Sequence, residues 1–222
     1  MKQPLWKKFL SHFFSFSIEK TESAYSGPLE IIYSRGRYGL CTQNAMYSFE
    51  DLYLNFRESF KIVDLKKHKI QKVLMLGAGL CSVPLIIEKK QGLKLKYRAV
   101  EIDPKIIAFS KKYTLSQLQS EIELICANAL DFVKNDEDNY ELIIVDLFID
   151  DIVPDTFEQK EFLLSLKKLL SPGGLLMFNR MANNEAALKK TESFFNKDFK
   201  AVFPEAKMLE IFSNRMLVNQ LK

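Results

Sequence analysis

Apolar residues fall into two textures along the chain. From about residue 69, short, mainly apolar runs alternate with stretches of helical spacing. The runs cover residues 73–76, 97–102, 122–126, 142–145 and 175–178. Runs without polar alternation are strands buried on both faces, as in a parallel sheet. Residues 83–90, 105–113, 129–134 and 158–170 between them are spaced as helices. Residues 183–195 predict a last helix, and 208–212 and 215–221 two closing strands. Strand and helix in alternation, joined by short connections, predict an α/β fold with a doubly wound, mostly parallel sheet.

The first 53 or so residues differ. Residues 29–33 and 38–42 are β-prone, and Ser34-Arg35-Gly36-Arg37 between them is turn-like. A small β-hairpin follows, with 15–21 as a third strand. Leu52, Phe56, Phe60 and Val63 then fall at helical spacing, predicting a helix over 47–63. The change of texture divides the chain into residues 1–65 and 66–222.

Composition narrows the function classes. At 222 residues, 47% hydrophobic and 27% charged, the chain is an ordinary globular one with enough length for a core. A net charge of +4 is too small to argue for nucleic acid. Two histidines, His12 and His68, are too few for a multi-histidine metal site. Cys41, Cys81 and Cys126 form no CxxC pair and predict reduced thiols in a cytoplasmic protein. No apolar stretch approaches the 18 or so residues of a membrane span. Lys7-Lys8-Phe9-Leu10-Ser11-His12-Phe13-Phe14 is short for a signal peptide and lacks a cleavage site. It is expected to dock on the body as an amphipathic segment, with a membrane-surface or partner contact as the alternative.

Ligands of a doubly wound sheet sit at the carboxyl ends of its strands. The first strand ends in Gly77-Ala78-Gly79, where small residues let backbone N–H groups approach a ligand. Ser82 in place of the third glycine of G-x-G-x-x-G disfavours an NAD enzyme. The second ends in Glu101, 24 residues after Gly77, an acid able to accept two ribose hydroxyls. The third ends in Asn128, which suits an adenine edge or a helix N-cap equally. The fourth ends in Asp146, placed to hold an amine or accept a proton, or to serve as a cap.

These motifs, 73–79 and 99–104, resemble the S-adenosylmethionine-dependent methyltransferase fold, and more narrowly its spermidine synthase (aminopropyltransferase) branch. A β-rich start, Glu50 followed by Tyr53, Pro154 and the Pro172-Gly173-Gly174 turn extend the likeness from about residue 18 onward. The resemblance implies a seven-stranded methyltransferase-like Rossmann sheet. It assigns the cofactor loop to Gly77, Ala78 and Gly79, and the ribose to Glu101 with its neighbour Ile102. Asn128 and Ala129 stand at the adenine, and Asn44 where the family has a Gln near the nucleoside. Tyr53 and Asp146 match the residues that position and deprotonate an attacking amine.

Three positions depart from the family. Leu80 stands where an Asp pairs with the aminopropyl ammonium of the decarboxylated cofactor. The second acid of Asp-Ser-Ser-Asp is displaced to Asp150, and a late Tyr-Pro is Phe203-Pro204. The expectation is therefore a spermidine synthase-like methyltransferase using S-adenosylmethionine. Its acceptor would be a small molecule of amine type, with no nucleic acid, no membrane span and no metal; a homodimer is compatible. An aminopropyltransferase with a rearranged amine site, using Asp150 or Asp151, is the first alternative. A nucleoside-binding homologue without turnover is the second. A Mg²⁺ site of Asp146, Asp150 and Asp151 is the third.

Overall fold

The computed structural model describes residues 3–43, 45–148 and 153–221. Asn44, Asp150 and Asp151 lie outside the described residues. The described chain forms two sheets. After the short helix α1 (Leu5–Leu10) come β1 (Phe16–Ser23), β2 (Gly27–Ser34), β3 (Arg37–Cys41) and β4 (Met46–Ser48), an antiparallel sheet in that order. The large sheet holds β5 (Lys72–Leu76), β6 (Lys96–Glu101), β7 (Glu121–Cys126), β8 (Tyr140–Val145), β9 (Leu170–Met181), β10 (Lys207–Ile211) and β11 (Asn214–Val218). Its order is β10-β11-β9-β8-β5-β6-β7. The five strands from β9 to β7 are parallel, and β10 and β11 close the other edge as an antiparallel hairpin. This is the doubly wound α/β architecture that the sequence predicts.

Helices cover both faces. On one, Phe56 and Phe60 of α2 (Leu54–Ile62) and Val83 and Ile86 of α3 (Ser82–Ile86) pack on Val73, Met75, Leu142 and Ile144. On the other, α5 (Ala129–Asn135), α6 (Lys160–Leu169) and α7 (Glu185–Phe194) cover Leu74, Leu76, Ile143, Val145 and Phe178. Helix α4 (Pro104–Tyr113) starts at an Asp103 cap that accepts the Lys105 N–H at 2.8 Å, with Pro104 in the first turn. Its Ile106, Phe109 and Tyr113 form a third core with Leu29, Ile31 and Leu40 of the small sheet.

One sequence expectation is corrected. The helix predicted over 47–63 begins only at Leu54, because Met46–Ser48 pairs with β3 and Glu50 takes a left-handed backbone at φ 38°. Glu50 and Asp51 are buried at that break, where Arg37 and Lys89 pair with both. The N-terminal segment docks on the body through its polar side: Ser11 is buried and accepts the Gly36 N–H at 2.8 Å, while the aromatic side chains stay exposed.

Candidate active site

The strands β5, β6 and β7 run to one side of the sheet, and the chain then returns to place β8 beside β5. That reversal opens a crevice between the ends of β5 and β8. Gly77 and Asp146 occupy it. The Asp146 N–H donates to Leu76 O at 2.9 Å, and Gly77 carries φ +88°. A Cβ at Gly77 would stand 2.1 Å from Asp146 O, so only glycine fits there.

Above the crevice lies a cavity of about 720 Å³. Gly77, Ala78, Gly79, Glu101, Ile102, Asn128, Ala129, Tyr53 and Asp146 all line it, so the described residues expected to act on substrate or hold the cofactor reach one space. The small sheet forms part of its wall. Ser48 at the end of β4 accepts the Leu80 N–H at 3.1 Å and bonds Ser82 Oγ at 2.6 Å, tying this sheet to the glycine loop.

Glu101 is nearly buried beneath the loop. Its carboxylate accepts the Gly79 N–H at 3.1 Å and the Asp103 N–H at 3.2 Å. Burial pushes its pKa up, and those N–H donors pull it back. Asn128 is an N-cap, its Oδ1 accepting the Leu130 N–H at 2.8 Å, and it still lines the cavity.

Asp146 has the most developed surroundings. Its Oδ1 accepts from Asn179 Nδ2 at 2.9 Å and from the Tyr53 hydroxyl at 3.4 Å. Asn179 Oδ1 in turn accepts from Asn214 Nδ2 at 3.0 Å. Burial raises the Asp146 pKa to about 7, and the Glu101 charge adds to the rise, while Asn179 and Tyr53 oppose it. Burial and the Asp146 charge together push Tyr53 well above its ordinary range, so it stays a hydroxyl donor.

Sequence reasoning missed Asn179 and Asn214. Asn179 follows the apolar run 175–178 as Asp146 follows 142–145, so the same strand-end signal marks it. Asn214 carries no such signal, since it begins an antiparallel strand whose register puts it opposite Met181. The Leu80 side chain does not line the cavity: it is fully buried against Leu29, Ile31, Ile106 and Phe109. Phe203 is likewise packed in the core with Phe199. Glu101 and Asp146 are the acids of the cavity wall among the described residues, and Arg35 and Arg57 its cations.

The chain and its fold resemble known proteins. The family model for the "Spermine/spermidine synthase domain" covers residues 60–220. The polyamine aminopropyltransferase of Vibrio vulnificus is 25% identical over 156 residues, which are 69% of this chain and 51% of that protein. The chain thus spans about half the length of the curated relatives it matches. Among solved structures, a "probable spermidine synthase" from Corynebacterium glutamicum aligns with a TM-score of 0.74 at 17% identity, covering 90% of this chain and 78% of that one. A spermidine synthase in complex with the transition state analogue AdoDATO aligns with a TM-score of 0.68 at 14% identity, covering 91% and 72%. At such identities the likeness shows the fold. The expectation of a methyltransferase is corrected here, because the curated relatives are named for aminopropyl transfer. The chain belongs to the spermine/spermidine synthase domain family.

Proposed function

We propose that the chain is an aminopropyltransferase-type enzyme that joins an amine to a carbon on the sulfonium of an adenosyl donor. The observation that carries this reading is the Asp146 carboxylate, pushed up to about 7 at the switch point of the sheet and held by Asn179 and Tyr53.

The cavity fits such a donor. Gly77, Ala78 and Gly79 leave room for close approach, and Glu101 and Asn128 present polar groups for the ribose and adenine. The bound donor, decarboxylated S-adenosylmethionine in this family, supplies an electrophilic carbon beside a positively charged sulfur. Asp146 orients the amine through its Oδ2, since Oδ1 is engaged by Asn179 and Tyr53. The amine lone pair forms the new C–N bond while the C–S electron pair returns to sulfur. The proton lost by the amine goes to Asp146, whose pKa near 7 suits a base at neutral pH. The remaining contribution is alignment, supplied by the loop and by the walls from Tyr53 to Phe157.

A second reading, nucleoside binding without turnover, is favoured by Leu80. Its burial leaves no acid at the position where the family pairs the aminopropyl ammonium. One experiment separates the two. The chain is incubated with decarboxylated S-adenosylmethionine and a panel of mono-, di- and triamines, and products are weighed by mass spectrometry. Aminopropylated amine with an equal amount of methylthioadenosine supports transfer. Tight methylthioadenosine binding with no product from any amine supports the silent reading.

A further inference from the structure

The helix α1 and the turn after it are amphipathic in an inverted sense. Ser11 is buried and Lys7 half-buried against the protein, while the exposed Lys8 and His12 run along the β2–β3 turn. Lys7 Nζ sits over the Phe16 ring, the Lys8 stem lies against Gly36, and Ser11 O accepts the Arg35 N–H at 2.6 Å. These contacts fix the segment on the β2–β3 turn. The apolar side chains point away: Trp6 is 62% exposed, Phe9 67%, Phe13 68% and Phe14 65%, with Leu5 and Leu10 beside them. A pinned segment cannot hide such a face by folding inward, and large contiguous apolar surface in water marks an interaction site.

Charge identifies the partner. The first 18 residues contain Lys2, Lys7 and Lys8 and no Asp or Glu. Arg35 adjoins the segment through Ser11. Aromatic residues flanked by lysines, without acids, suit the boundary between headgroups and acyl chains of an anionic bilayer. A protein partner would need its own acidic rim around an apolar groove, whereas an anionic lipid surface offers both features everywhere. We infer that residues 5–14 form an interfacial anchor that seats this protein on an anionic lipid surface. No helix among the described residues is long and apolar enough to cross a membrane, so the contact lies in the interface.

Trp6 is the single tryptophan, so its emission reports on this face alone. The full chain is titrated with phosphatidylglycerol–phosphatidylcholine vesicles, with pure phosphatidylcholine vesicles, and with no lipid. A blue shift of Trp6 and co-flotation on the anionic vesicles, both reduced by 0.5 M salt, are expected. Lys8→Gln should weaken that partition about fivefold. The triple variant Phe9→Ser, Phe13→Ser, Phe14→Ser should abolish it while leaving the melting temperature and methylthioadenosine binding unchanged. Unshifted emission on anionic vesicles overturns the inference. So does an equal shift on neutral vesicles. A wild-type dimer in light scattering that becomes monomeric in the triple variant, with no lipid shift, assigns the face to a second copy and also overturns it.

Discussion

Asn179 and Asp146 stand one residue beyond the paired Phe178 and Val145, and the Asn179 amide donates to Asp146 Oδ1 at 2.9 Å. The sheet register thus fixes the orientation of the carboxylate. Tyr53 approaches the same oxygen from the other side of the site. Oδ2 keeps its lone pairs for the cavity. This relationship has a pH signature. In the proposed reaction Asp146 accepts the proton only when ionised, so transfer should rise with pH about a midpoint near 7. Asn179→Ala removes a donor to the charged form. Its midpoint should move up by about 1–2 units, the size of a hydrogen bond to a charged group. An unmoved pH–rate profile in this variant would mean that Asn179 only packs.

Stability should show the same group with the opposite sense. The folded carboxyl keeps its proton up to about 7, and the unfolded one loses it near 3.8. Between these values the folded state binds more protons, so stability falls as pH rises from about 4 to 7. Asp146→Asn should flatten that slope in denaturant titrations taken across this range. A slope as steep as in wild type would place the perturbed group elsewhere.

Glu101 is expected to serve the ribose as well as the loop. Glu101→Gln should weaken methylthioadenosine binding by about 2–3 kcal/mol in calorimetry. Its 2′,3′-dideoxy analogue should bind wild type and variant nearly alike. Equal losses for both ligands would show that Glu101 acts through Gly79 and Asp103 alone.

Gly77→Ala combines a left-handed backbone with a Cβ 2.1 Å from Asp146 O. The carbonyl cannot retreat without breaking the Asp146 strand end, so β5 and β8 should separate locally. Thermal unfolding should show a loss of about 2 kcal/mol or more. A variant with wild-type stability and binding would contradict the contact.

Beyond the cavity, Arg180 is buried and pairs with Glu158 at 2.7 Å, its guanidinium 4.7 Å from the Phe194 ring. Nε and Nη1 have no hydrogen-bond partner among the described residues. Burial pulls its pKa down, and Glu158, with a smaller part from Asp155, holds the charge in place. Glu158→Gln leaves that cation uncompensated and should cost about 3–5 kcal/mol in urea unfolding. A loss within about 0.5 kcal/mol would show that the pair is a surface contact.

The parallel strands were legible because each is a short, mainly apolar run closed by a glycine, an acid or an asparagine. The strand-end rule then pointed to Gly77, Glu101, Asn128 and Asp146, which share one cavity. What escaped depends on contacts distant in sequence. Leu80 looks like a substituted site residue, but α4 and the small sheet draw it into their own core. Helical spacing over 47–52 was overridden by pairing with β3 and by two buried acids at Glu50 and Asp51. The outward aromatic face of α1 follows from Ser11 and Lys8 meeting the β2–β3 turn, which no local pattern encodes.

The central claim is that Asp146 takes the proton of an amine attacking the adenosyl donor. The most direct measurement is single-turnover aminopropyl transfer at saturating donor and amine, comparing wild type with Asp146→Asn, with methylthioadenosine affinity measured alongside. A rate at least about 10²-fold lower in the variant, with nearly unchanged nucleoside affinity, is expected. Transfer by Asp146→Asn at the wild-type rate would contradict it.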